Sequence, residues 1–216
     1  MKITVPVYPD YELREEYLRE FRRADVDRIL FVVDREFEPE AIKKAADNVR
    51  RCIEFYGGFG YSCAVWIGST IGHGVYLVGR GAEEEREYTL IRGVHGEERG
   101  EAYCPLDERF RRDISRFVAA FADVGAEFIL LDDDFRLAHD FVGCACELHL
   151  AALGKEIGRP VTREEIREKA LSGGANEYRR AWVKVQGDSL RLLARDIRRA
   201  VDEVNPDCPV GVCAVG

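Results

Sequence analysis

Three cysteines and one histidine dominate the chemistry this chain can offer. The stretch Cys144-Ala145-Cys146-Glu147-Leu148-His149 gathers three soft or borderline ligands within six residues, and Cys104 lies forty residues upstream in Tyr103-Cys104-Pro105. Three thiolates and an imidazole make a closed four-coordinate zinc shell, with every position filled by protein, as structural zinc sites require. Cysteines in a reducing compartment also serve as small core residues, so spacing alone leaves both roles open. Cys52 on a helix, Cys63 and Cys213 in strands, and Cys208 beside a proline are read as non-ligands.

A second cluster precedes the cysteine run: Asp132-Asp133-Asp134 follows an apolar stretch. Side chains alternate along a strand, so Asp132 and Asp134 are expected on one side and Asp133 on the other. Two like charges facing a partly buried pocket keep one carboxyl protonated, which is what a general acid needs. Two other readings stand beside it. In one, hard oxygen ligands suit Mg²⁺ or Mn²⁺ in a metal-dependent hydrolase; in the other, Arg136 neutralises a purely structural cluster. His73, between Gly72 and Gly74, is either an imidazole that swings towards a substrate or a surface turn residue. Trp66 and Trp182 read as packing.

The elements that must position these groups alternate. Strands are expected at 2–7, 28–33, 61–67, 127–131 and 210–215. Helices are expected at 12–23, 39–56 (closed by Gly57-Gly58), 107–123 and 178–204. Thr162 with Glu165 forms a capping box at the start of another. Residues 68–105 form a long loop excursion with a hairpin-like stretch at 88–94. Mostly apolar strands without alternation mark parallel sheets covered on both faces. The fold class is therefore α/β, built of parallel (β/α) units. Two architectures fit: the first five strands of a TIM-type barrel, or an open five-stranded α/β sheet. Both place ligands at the carboxyl ends of the strands, here Tyr8, Asp10, Asp34, Arg35, residues 68–73, Asp132 to Arg136, and Gly216. A full barrel takes about 250 residues. The 216 residues are thus expected to be one catalytic-type domain, incomplete at its C-terminus.

Composition excludes several classes. The chain is 46% hydrophobic and 33% charged, with a net charge of −8, so nucleic acid is not an expected partner. No apolar run is long enough to span a bilayer, and the opening residues carry no signal-peptide core. Seven cysteines argue for metal chemistry plus core thiols rather than disulfides, in a soluble, cytoplasmic protein. Unpaired outer strands of an unfinished barrel predict a homo-oligomer or pairing with a missing C-terminal half.

Taken together these residues resemble the family 42 glycoside hydrolases, the β-galactosidase-type barrels of bacteria. Tyr103-Cys104-Pro105 with Phe110-Arg111 matches a Tyr-Cys-Pro segment that leads that family into the helix before its fourth strand. Asp132-Asp133-Asp134 stands where the family has Asp-Asn-Glu. Cys144, Cys146 and His149 match a Cys-x-Cys-x-x-Cys run, with His in the last place. The resemblance implies a structural zinc on Cys104, Cys144, Cys146 and His149. It implies a carbohydrate substrate, Asp134 as general acid/base of a retaining glycosidase, and Asp133 as a substrate contact. His73, Asp132 and Arg136 complete the expected site. Asp134 is one methylene shorter than the family's Glu, and Asp133 replaces an amide with a charge. The family's nucleophile is a Glu at the end of a seventh strand, so the 216-residue chain is expected to be inactive by itself. A non-catalytic carbohydrate-binding or assembly module with a structural zinc is the alternative.

Overall fold

The computed structural model describes residues 3–9, 15–73, 88–137 and 142–213. Asp10, the acidic run at 83–85 and Gly216 lie outside them. In chain order the elements are β1 (Ile3–Val7), α1 (Glu15–Arg23), β2 (Val26–Val33), α2 (Pro39–Gly58), β3 (Ser62–Ile67), β4 (Leu90–Arg92), β5 (Glu98–Tyr103), α3 (Glu108–Ala119), β6 (Ile129–Leu131), α4 (Glu147–Ile157), α5 (Arg163–Glu165), a π-helical turn (Ile166–Ala170), α6 (Glu177–Val204) and β7 (Val210–Val212). The chain forms two compact units. One comprises Met1–Thr70, Asp113–Asp133 and Ile197–Gly216, the other Ile71–Arg112 and Asp134–Asp196.

The first unit is a parallel sheet in the order β1-β2-β3-β6-β7. Each strand lies beside the preceding parallel strand. That sequential order belongs to a singly wound (β/α) barrel segment; a doubly wound open sheet reverses its order at a switch point. The five expected strands are all present, and the structure selects the partial-barrel arrangement. Phe31, Ala64, Val65, Ile67 and Ile129 are wholly buried, as in a (β/α) segment whose outer face packs on helices and whose inner face packs on side chains of the strands themselves. Val49 and Tyr56 of α2 and Ile114, Phe117 and Val118 of α3 complete this core. Pro6 pairs with Leu30 in β1, which ends the sheet, where its missing N–H breaks no ladder.

Several boundaries move. Helix α2 runs through Gly57 and Gly58, and the chain reverses at Gly60, whose φ is +89°. Helix α3 stops at Ala119 rather than 123 and gives way to turns. The strand expected at 127–131 is assigned only over Ile129–Leu131, although Glu127 N–H already reaches the Cys63 carbonyl at 2.8 Å. Residues 12–14 of the expected helix and 214–215 of the expected strand lie outside the described set.

The second unit has its own apolar centre. Val94, Ala145, Leu153, Val161, Ile166, Trp182 and Val185 are buried together. Tyr88, Tyr103 and Phe110 form an aromatic trio with centroids 5.1 to 5.7 Å apart. The hairpin expected at 88–94 is a two-stranded antiparallel pair, β4 with β5. The capping box at Thr162 forms as expected, with Glu165 N–H donating to Thr162 Oγ1 at 3.2 Å and Thr162 N–H donating to Glu165 Oε2 at 3.2 Å.

Candidate metal centre and acidic turn

Cys104 leaves β5 and Asp107 starts α3. The Asp107 carboxylate accepts the N–H groups of Arg109 and Phe110 at 2.9 and 3.2 Å, capping the helix, and its other oxygen accepts Thr89 N–H at 2.8 Å. Burial alone pushes this carboxyl up. The N–H groups of Thr89, Phe110 and Arg109, with the Thr89 hydroxyl, outweigh it and hold the group below the usual carboxylate range. Arg111 donates to the Pro105 carbonyl at 2.9 Å and to Asp196 at 2.8 Å. The turn carrying Cys104 is therefore fixed from both sides.

The Cys144–His149 stretch arrives on α4. Cys146 is the residue before the first helical turn, with φ −66° and ψ 170°, and His149 lies within that turn. All four side chains are buried. Their donor atoms lie within 4.8 Å of one another, an arrangement that could hold a metal ion. Cys104 Sγ is 3.2 Å from His149 Nδ1, Cys146 Sγ is 3.6 Å from the same nitrogen, and the two sulfurs are 3.5 Å apart. A tetrahedral ion with metal–sulfur bonds of about 2.3 Å and metal–nitrogen bonds of about 2.0–2.1 Å has edges of about 3.8 Å (S–S) and about 3.6 Å (S–N). The residues fit such an ion.

The electrostatics favour a cation. Burial and the neighbouring thiols push Cys104 far above the ordinary thiol value. Cys144 is drawn down by the Cys104 thiol but raised more by Cys146 and by burial, to about 12. Cys146 is pulled well below its usual value by its sulfur contacts with Cys104 and then Cys144. Three buried thiolates held together need a positive partner at the centre.

Helix α6 contributes what sequence reasoning missed. Trp182 Nε1 donates to the Val142 carbonyl at 3.2 Å. The Gln186 side chain takes Cys144 N–H at 2.7 Å and gives its own N–H to the Cys144 carbonyl at 3.0 Å. Ser189 Oγ lies 3.1 Å from His149 Nε2. Residues 182, 186 and 189 recur at helical spacing and share one face. That periodicity was available in the sequence, but nothing there names the loop the face meets. Trp182 does pack, as expected.

The acidic triplet does not sit on a strand. Asp132 N–H still donates to the Ile67 carbonyl at 3.1 Å, but β6 ends at Leu131 and the chain turns. The expected alternation fails for that reason: Asp132 and Asp133 are both half-buried, whereas Asp134 is fully buried. Asp134 Oδ2 accepts Gly72 N–H at 2.7 Å, and Arg136 N–H donates to the Asp134 carbonyl at 2.7 Å. Asp134, Arg136, His73 and the four sulfur and imidazole ligands belong to the second unit; Asp132 and Asp133 belong to the first. Of the other cysteines, Cys52, Cys63 and Cys208 are buried in the first unit and Cys213 is exposed. Among the described residues, no helix is long and apolar enough to cross a membrane.

No known family profile and no curated protein matches the chain. Solved structures do. The chain is similar to alpha-L-fucosidase isoenzyme 2 from Paenibacillus thiaminolyticus, with a TM-score of 0.61 and 14% sequence identity. The match covers 99% of this chain and 33% of that one, so the chain spans about a third of that protein's length. At this identity the likeness establishes the fold alone.

Proposed function

We propose that the chain is the N-terminal portion of a glycoside hydrolase-like barrel related to family 42, with a structural zinc and Asp134 as the acid/base of a retaining hydrolysis. The observation that carries this reading is the convergence of Cys104 on Cys146 and His149 across more than forty residues. These are residues on which the family resemblance rests. Cys104, Cys144, Cys146 and His149 would hold the zinc, which supplies charge neutralisation and cross-linking and touches no substrate. The second unit containing this anchor also contains Asp134, whose carboxylate is oriented by Gly72 N–H. In this role Asp134 gives its proton to the glycosidic oxygen, and a second carboxylate attacks the anomeric carbon. No described residue is assigned that second role. Asp133, Asp132, His73 and Arg136 are the proposed sugar contacts.

A panel of nitrophenyl glycosides tests the reading. Any hydrolysis by the protein should fall by about 10²–10⁴-fold in Asp134→Asn, with sugar binding retained. The complete burial of Asp134 favours one second reading, a non-catalytic carbohydrate-binding module. Saturable sugar binding with no hydrolysis, unchanged by Asp134→Asn, would select it.

A further inference from the structure

His149 presents Nδ1 to the thiols and Nε2 to Ser189, and the proton on Ser189 decides which nitrogen can bind a metal. Ser189 Oγ lies 2.7 Å from the Gln186 carbonyl of its own helix, an oxygen that can only accept. The single hydroxyl proton is committed there. Towards His149 Nε2, 3.1 Å away, Ser189 Oγ can therefore only accept. That contact requires a proton on Nε2 and leaves the Nδ1 lone pair aimed at Cys104 and Cys146. Both Ser189 and His149 are wholly buried, so water does not compete for either position.

We infer that Ser189 is a positioning residue for the metal centre: it takes the Nε2 proton of His149, fixes the ring's tautomer and rotation, and makes Nδ1 the ligating atom. This rests on the reading that the cluster binds zinc. An imidazole with a free partner site can rotate or carry its proton on the wrong nitrogen. An acceptor behind the ring removes both states. Gln186 serves twice, taking the Ser189 proton on its main-chain oxygen and holding both backbone groups of Cys144 with its side chain.

Two measurements on the full chain test this. Zinc affinity is read by competition with a chromophoric chelator: Ser189→Ala should bind about 10- to 100-fold more weakly than wild type, and Ser189→Thr, which keeps the hydroxyl, should recover most of the loss. Long-range ¹H–¹⁵N correlation on the zinc-loaded wild type should place the ring proton of His149 on Nε2. In Ser189→Ala that proton should exchange with water at least about tenfold faster, a change that loss of packing elsewhere does not produce. A ring proton on Nδ1 in the loaded wild type overturns the assignment even if the variant fails to fold. A Ser189→Ala protein that binds zinc within about twofold of wild type also overturns it while leaving the zinc reading intact. A wild type that takes up no zinc overturns both.

Discussion

Cys104 Sγ lies 3.2 Å from Nδ1 of His149, although forty-five residues separate them. Burial alone does not make two such groups meet at ligand spacing, and a shared cation would give the contact its stabilisation. Zinc that binds only the folded state stabilises it by about 4 kcal/mol at a thousandfold excess over Kd. For a chain of this length that raises the melting temperature by roughly ten degrees. Thermal melts with zinc and with EDTA should differ by that amount in the wild type and by almost nothing in Cys104→Ala. Equal shifts in the two proteins would remove the metal from the account.

Metal uptake should also release protons. Cys104 and Cys144 are held above the ordinary thiol value, whereas Cys146 is held below it. A bound metal needs all three as thiolates. Protons therefore leave on binding, and the affinity falls as pH falls. Each proton released corresponds to about tenfold per pH unit, so affinity should change about tenfold or more per unit between pH 6 and 8. Chelator competition across that range gives the slope directly; a flat profile would mean that the sulfurs are not the ligands.

Much of this arrangement was legible because its signals are local. The parallel strands read as near-continuous apolar runs such as Ile29 to Val33, since both their faces are buried. The Cys144–His149 spacing offered a ligand set beside a core-thiol role, and the structure groups it with the distant Cys104 in an arrangement that could hold a metal ion. Strand order was not legible, because register and neighbour choice depend on long-range packing; the sequence left an open sheet standing as the alternative to the partial barrel. Strand β5 (Glu98–Tyr103) carries two glutamates, an arginine and a glycine and lacks any apolar alternation. The roles of Gln186 and Ser189 were hidden too, because polar residues on an amphipathic helix look like a solvated face until their partners are known. The acidic triplet was read with strand alternation one turn too far.

Asp107 makes the acid stability of the second unit predictable. Its folded-state pKa is lowered, so its contribution is complete above the unfolded value near 3.9 and disappears as pH falls through the lower folded value. Removing this cap by Asp107→Ala should cost about 1–2 kcal/mol at pH 7. Urea titrations of wild type and variant should converge as pH drops from about 4 towards 2. If the gap persists unchanged at the acid end, the carboxylate is not what holds the Thr89 and Phe110 amides.

Gly143 offers the sharpest contrast between two kinds of glycine. Its φ is +120°, and a Cβ there would lie 2.7 Å from Gln186 Oε1 and 2.9 Å from Trp182 Cζ2. Gly158, at the end of α4, has φ +85° with nothing within 4 Å of an added Cβ. Gly158→Ala therefore meets only the left-handed penalty of about 1–2 kcal/mol and should leave zinc affinity unchanged. Gly143→Ala meets a backbone penalty of about 1–3 kcal/mol and must also displace the Gln186 amide from Cys144. It should destabilise more than Gly158→Ala and weaken zinc binding in parallel. Denaturant unfolding and chelator competition on both variants decide the matter. Equal losses of stability with unaltered zinc affinity would show that the α6 face does not hold the ligand loop in place.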